Sequence, residues 1–221
     1  MPAFGRTRLQ IVNAALLRMR EAEVATASST VYALLVATTL NLIKAQMEQV
    51  WQWRDLRDTY TVSVTPGTTS YSLLSAGQFA QIIDVWNRTT NEEVVRGTTR
   101  DFNKKFFGVA TVETGNVTHY NPVGTDANYD FQFDTWPDVE STNSLRVNAY
   151  VPEPDPPTDS TIVTVPNQVL VEGIVAYLLA ERGDDGGITA QTQQAVYQEM
   201  LSNAIANEVG QDQSEVDWTP V

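Results

Sequence analysis

The chain has 221 residues, 42% of them hydrophobic and none of them cysteine. It can therefore bury a sizeable core, while disulfide frameworks, thiol catalysis and cysteine-type zinc sites are excluded. Its net charge of −13 is unevenly spread, with seven basic and four acidic residues in 1–57, six and eleven in 58–151, and one and twelve in 152–221; so acidic a surface argues against tight binding to phosphate backbones, and serves either plain solubility or a place near DNA without adhesion to it.

Thr7 followed by Gln10 is a capping-box pattern, and Leu9, Val12, Leu16, Leu17 and Met19 then recur at helical spacing. A first helix is expected over 7–25. Ser28, Ser29 and Thr30 offer the next N-cap, and the apolar positions from Val31 to Trp51 predict a longer helix suited to the centre of a bundle. Its most apolar run, VYALLVATTLNLI at 31–43, is 13 residues long, short of the ~20 that span a bilayer. The opening MPAFGRTRLQ lacks the apolar stretch of a signal peptide. A soluble protein, made and used without export, is expected.

At Thr59 the period changes from 3.6 to 2: Tyr60, Val62 and Val64 alternate with Thr61, Ser63 and Thr65 up to the turn Pro66-Gly67. A second strand around Ser70–Leu74 would complete a hairpin. IIDVWN at 82–87 and EVV at 93–95, joined through TTNE, read as another. One short helix is expected between a cap at Thr98 or Thr99 and a stop at Gly108, with Phe102 and Phe106 one turn apart. NVTHY, NYDFQF and SLRVNAYV are further strand candidates.

PEPDPP at 152–157 cannot be helical and predicts a stiff connection. Beyond it Pro166 marks a helix start, Leu170, Ile174, Tyr177 and Leu178 line one face, and Arg182-Gly183 closes the last turn. A further helix over 189–209 would present Val196, Met200, Ala204 and Ile205. The expected class is α+β, a discontinuous four-helix bundle with a β-rich domain inserted between the two helical pairs and an extended C-terminal tail. The boundaries are 1–58 for the first hairpin, 59–151 for the insert, 152–163 for the linker, 164–210 for the second hairpin and 211–221 for the acidic tail. Trp51 and Trp53, two residues apart, point to different sides if the helix continues; Trp51 would extend the bundle stripe, while Trp53, with Tyr60, would seal the junction to the β-rich insert.

Little in this sequence suggests chemistry. His119 is the only histidine and has no partner implied by spacing. Asp126, Asp130 and Asp134 are four apart, unlike the alternating ligands of a calcium loop. PGTTS at 66–70 lacks the lysine ending of a phosphate-binding loop. NRT at 87 and NVT at 116 fit the glycosylation sequon, without an export signal to make it matter. No catalytic residue, metal ligand or cofactor is expected, with a hydrolase or lyase built on paired carboxylates kept as a third-ranked reading.

The order of the pieces resembles the head-to-tail adaptor, or connector, proteins of tailed bacteriophages, in particular the tail tubular protein A and adaptor-like families of short-tailed phages. The resemblance rests on an N-terminal helical hairpin ending in WQWRDL, then YTVSVTPGTTSYSL, IIDVWNRTTNEEV, VPNQVLVEGIVAYLLAERGDD and a final helix. It implies a structural protein of the virion, assembled in the host cytoplasm: a ring, usually of twelve copies, between the portal protein and the tail nozzle protein, with double-stranded DNA passing through the lumen untouched by tight binding, and no membrane partner. Related adaptors reach the portal with a C-terminal arm. Here that would be QDQSEVDWTPV, with Trp218 between Val216 and Pro220 as an apolar anchor and Asp212, Glu215 and Asp217 facing basic portal residues. The alternative from another class is a β-rich recognition module on a helical stalk, as in a tail fibre or receptor-binding component, although neither repeats nor heptads announce one.

Overall fold

The computed structural model describes residues 5–108, 113–183 and 188–212, the last three as backbone alone. It is a mixed α+β structure with five helices and several sheets among these residues. The chain divides into two compact units, residues 1–55 with 154–221, and residues 56–153.

The first unit opens with a two-residue strand, β1 (Arg6–Thr7), and α1 (Arg8–Arg18). Thr7 caps α1 through a complete capping box: its hydroxyl accepts from the Gln10 amide at 3.3 Å, and its own amide donates to the Gln10 side chain at 3.0 Å. α1 is shorter than the expected 7–25. Arg20 takes a left-handed conformation at φ 61°, and the Glu21 amide donates back to Leu16, which closes the helix. Asn13 then holds the returning chain through two 3.0 Å bonds to the backbone of Val24.

α2 (Val31–Val50) is capped by the Thr30 hydroxyl on the Ala33 amide, and ends where Trp51 turns to extended backbone. The helix therefore does not carry Trp51 in its stripe, and the angular argument that separated the two tryptophans does not apply. Trp53 is the buried one, 2% exposed, and its indole N–H donates to the Met47 carbonyl at 2.8 Å. It thus satisfies one of the orphan carbonyls at the helix end. A single 3-10 turn, Arg54–Leu56, follows.

In the second unit β2 (Arg57–Val64), β3 (Ser70–Leu73), β4 (Gln81–Asn87), β5 (Glu92–Glu93) and β6 (Val95–Arg96) lead to α3 (Thr99–Phe107). Thr98 caps α3, Gly108 ends it, and Phe102 and Phe106 stack at 5.9 Å between ring centres. Then come β7 (Thr114–Gly115), β8 (His119–Thr125), β9 (Phe131–Trp136), β10 (Asp138–Val139) and β11 (Asn143–Tyr150). Two four-stranded sheets, ordered β2-β11-β4-β5 and β3-β9-β8-β6, share one core that includes Val64, Leu73, Val85, Phe133 and Leu145. The β4–β5 hairpin pairs Trp86 with Glu93. The strands around Pro66-Gly67 form no hairpin: β2 pairs with β11 along its whole length, and β3 pairs with β9 in the other sheet. The turn is a corner between sheets: β2 takes the eight-residue β11 in place of the four-residue β3, and β3 finds partners for all four of its residues in β9.

Asn87 is fully buried between β4 and β11, where it donates to the Asn143 side chain at 2.7 Å and to the Val117 carbonyl at 3.2 Å. As the acceptor of a sequon it is unreachable. Buried amides of this kind are tolerated because nearly every polar atom finds a partner.

The chain returns to the first unit through residues 152–157, which lack regular structure. The second half of the expected linker is tied down. β12 (Ile162–Val163) pairs antiparallel with β1, and Asp159 takes Arg8 at 3.3 Å and the Ala27 amide at 3.1 Å. α4 (Asn167–Arg182) and α5 (Ile188–Asp212) complete the fold. α4 is buried nearly all round from Val169 to Ala176, with α1, α2 and α5 against it. It, and not α2 as expected from apolarity, is the central helix, since a helix covered on every side needs an apolar circumference and α2 leaves one side bare. At Gly173 an added Cβ would stand 2.8 Å from both Ile43 and Tyr197, so the missing side chain sets how closely α2 and α5 approach α4. The buried face of α5 carries Ala190, Tyr197 and Leu201, whereas the expected Val196 is 37% exposed. α5 also runs through Gly210 to Asp212, two residues into the expected tail, because a single glycine costs a helix only about 1 kcal/mol.

Candidate functional site

The anchor residues expected in the tail, Glu215, Val216, Asp217, Trp218 and Pro220, lie outside the described residues, and Asp212 is present as helical backbone. Of the junction residues, Trp51 is half-buried at the end of α2 and Trp53 is buried over Met47. Tyr60 packs against the β core opposite Val147, and burial, followed by the nearby Asp58 charge, raises its phenol above the usual value. Each is held within its own unit.

The first unit has a cleft of about 350 Å³ beside Trp53, lined by Asp55, Ile162, Val163, Asn167 and Glu208. Its two charged lining residues are both carboxylates, and without a cation among them they would repel an anionic ligand. A second cleft, of about 520 Å³, shares Gly5 with the first and is lined by Arg6, Gln10, Asn13, Ala14, Leu17 and Glu23.

The second unit carries a basic cleft of about 320 Å³ formed by Arg96, Lys104, Lys105 and His119, with Asp101 and Phe102. α3 supplies both lysines from its last turn, while Phe102 on the same helix is buried. His119 and Lys105 both rest on the Trp136 indole, the imidazole edge-on at 5.5 Å and the ammonium 3.5 Å from the ring centre. The Nδ1 atom of His119 lies 2.9 Å from the Thr118 hydroxyl. Partial burial and then the Lys105 charge push the imidazole below its ordinary pKa. Asp101, the nearest carboxylate of the cleft, is engaged by the Thr98 hydroxyl at 2.7 Å, and this bond, ahead of the helix lysines, holds its carboxyl below the usual range. The arrangement is a cation resting on an aromatic face, with the carboxylate occupied in capping.

Asp126 accepts the backbone amides of Asn128 at 2.8 Å and Asp130 at 3.0 Å, and Asp134 bonds the Ser70 hydroxyl. Turn and strand bonding therefore absorb the aspartates spaced by four. No group of three or more histidine or acidic side chains is placed to share a metal ion among the described residues. No described helix is long and apolar enough to cross a membrane.

Sequence reading missed a buried acid that joins three helices. Glu172 on α4, 2% exposed, receives Arg18 of α1 at 2.6 Å, Gln168 of its own helix at 3.1 Å and Gln193 of α5. The signal was there in VLVEGIVAYLLA, where one acid interrupts an apolar run and must find donors. Asp159 gave no such signal, being one acid among several in a polar stretch.

No curated protein matches the chain. The family model of the SU10 adaptor protein matches it over residues 6–221. With a helical unit built from the two ends of the chain, a β unit between them and this match across nearly the full length, the chain belongs to the SU10 adaptor protein family of phage adaptors.

Proposed function

We propose that this protein is the head-to-tail adaptor of a tailed phage: a structural component that forms a ring, with twelve copies, joins the portal protein to the tail nozzle protein and lines part of the DNA channel. The family match over residues 6–221 carries this reading. The helical pairs, residues 1–58 and 164–210, act as one discontinuous four-helix bundle, with 59–151 as a side domain. A net charge of −13 leaves double-stranded DNA free to slide past, since like charge repels the polymer without gripping it. The role is mechanical, without turnover of substrate, and is exercised in the virion after assembly in the host cytoplasm.

Residues 211–221 reach into a groove of the portal, where Trp218, between Val216 and Pro220, fills an apolar pocket and Asp212, Glu215 and Asp217 meet basic residues. Such a segment, with three acids and no Lys or Arg, offers a charge complement to a basic partner surface. Isolated subunits stay monomeric or weakly associated, and close into a ring on the portal.

The test is to mix purified protein with its portal and look for rings by mass photometry and negative-stain microscopy. Rings with portal and monomers without it are expected; portal that gains no adaptor mass overturns the reading. Deleting 211–221, or Trp218→Ala, should weaken portal binding at least ~30-fold, from an anchor worth ~2 kcal/mol. Wild-type affinity in both variants would remove the tail from the portal interface.

A further inference from the structure

The basic cleft of the second unit is out of character with its surroundings. Residues 58–151 carry six basic side chains, and four of them, Arg96, Arg100, Lys104 and Lys105, fall within 96–105; outside that stretch the same segment has two basic against ten acidic residues. Among the described residues, none of the four makes an ion pair. The one carboxylate of the cleft, Asp101, is bonded to the Thr98 hydroxyl. Cations left without partners in so acidic a chain hold a local positive field for an anionic group.

The cleft also borders a free strand edge. β6 is the outermost strand of its sheet, and the amides of Val95 and Gly97 donate inward to the carbonyls of Thr118 and Tyr120 at 2.9 and 2.7 Å. Backbone groups alternate in direction along a strand, so the amide and carbonyl of Arg96, between these two, face outward. Arg96 is exposed, and Val95 beside it is 56% exposed. α3 is seated closely against this edge. A Cβ added at Gly97 would stand 2.6 Å from the Phe102 ring, and the Lys105 ammonium lies 3.5 Å from the centre of the Trp136 ring.

We propose that the cleft and the β6 edge together dock an acidic, extended segment of a partner protein. The segment adds as a strand outside β6, bonded to the Arg96 backbone, and its carboxylates meet Lys104 and Lys105. These two features favour a polypeptide over a nucleic acid. Outward backbone donors and acceptors match a peptide in strand form. A phosphate backbone would run off so short a basic patch onto a segment with ten further acids, which repel it. The docking surface lies within one β unit and needs neither a second copy nor the C-terminal tail.

The test uses the full chain and a short fluorescent peptide in which glutamate alternates with valine, with binding followed by anisotropy. Two companion peptides separate the causes: glutamine in place of glutamate removes the charge, and methylated backbone amides remove the strand bonds. The acidic peptide should shift the ring signals of His119, the sole histidine, and bind more tightly than either companion by at least ~10-fold. Lys104→Glu, at an exposed position, should weaken its binding by a similar factor with the thermal melt unchanged. Either companion binding as tightly as the acidic peptide overturns the proposal, and so does wild-type affinity in Lys104→Glu. A single-stranded oligonucleotide of equal charge, bound as tightly and with the same dependence on Lys104, would make this a nucleic-acid site and overturn it as well. An acidic peptide that does not bind at all leaves the cleft without the partner assigned to it.

Discussion

The carboxylate of Glu172 at the centre of α4 lies 2.6 Å from the guanidinium of Arg18 in the last turn of α1, one side chain 3% exposed and the other 52%. The pair is lopsided. Glu172 depends on Arg18, with two glutamine amides, for compensation of a buried charge; Arg18 has water beside it. Together with Gln193 the carboxylate ties three helices at one point.

Removing the arginine should therefore hurt more than neutralising the acid. Breaking a buried pair can cost ~3–5 kcal/mol, less where water screens one partner. Arg18→Ala should cost about 1–3 kcal/mol and Glu172→Gln about 1 kcal/mol. The double variant should lose less than the sum. Chemical denaturation of the three variants checks this, and a larger loss for Glu172→Gln would contradict it.

Gly173→Ala should destabilise the helical unit although alanine is the better helix former by about 1 kcal/mol. The new methyl would stand 2.8 Å from Ile43 and from Tyr197, and overpacking typically costs about 1–3 kcal/mol. The expected outcome is a lower melting temperature. A variant that melts at or above wild type would show that the two side chains yield at no cost.

Trp53→Ala should cost ~3–5 kcal/mol, the range for a large buried aromatic, and strip the Met47 carbonyl of its 2.8 Å donor. For a chain of this size that is a fall of roughly 10 °C. Trp51→Ala, at a half-buried position beyond the helix, should cost less than half as much. Melting curves with the two variants in the reverse order would restore Trp51 to the core.

His119 supplies a pH dependence. Burial and the Lys105 charge lower its folded pKa below the ordinary 6.5. A depressed histidine pKa means that the folded state prefers the neutral ring. Its contribution to stability is present above the unfolded value and is lost as pH falls through the folded one. Stability should drop between pH 7 and pH 5, and His119→Gln should flatten that slope. As the chain has one histidine, its NMR titration stands alone; a midpoint above 6.5 would reverse the sign.

Where neighbours in the chain decide, residue order was sufficient. The Thr7–Gln10 capping box, the Thr30 and Thr98 caps and the left-handed Gly183 all act within four residues, and each lies where its local chemistry puts it. The change of period at Thr59 likewise marks β2, because alternation reports which face of a strand meets a core, whatever that core contains. The phage-adaptor resemblance was also legible, through the order of such pieces along the chain.

Other features depend on what arrives from far along the chain, and local pattern does not encode them. Pro66-Gly67 carries the chemistry of a hairpin turn, yet β11, some eighty residues later, offers β2 eight partners, and the strand takes the longer ladder. Helix apolarity favoured α2 as the central helix. Which helix is surrounded is settled by packing, and the glycine that lets α2 and α5 close on α4 lies in α4 itself. The tryptophans divided for the same reason: the period of α2 extends through Trp51, but the indole of Trp53 finds the Met47 carbonyl once the helix stops at Val50. Sequence by itself determined the elements, their caps and the acidic character of the chain, since these follow from short-range torsions, nearby hydrogen bonds and composition. Only the tertiary structure decided the sheet partners, the central helix and the Glu172 node, because each depends on distant segments meeting over the same buried surface.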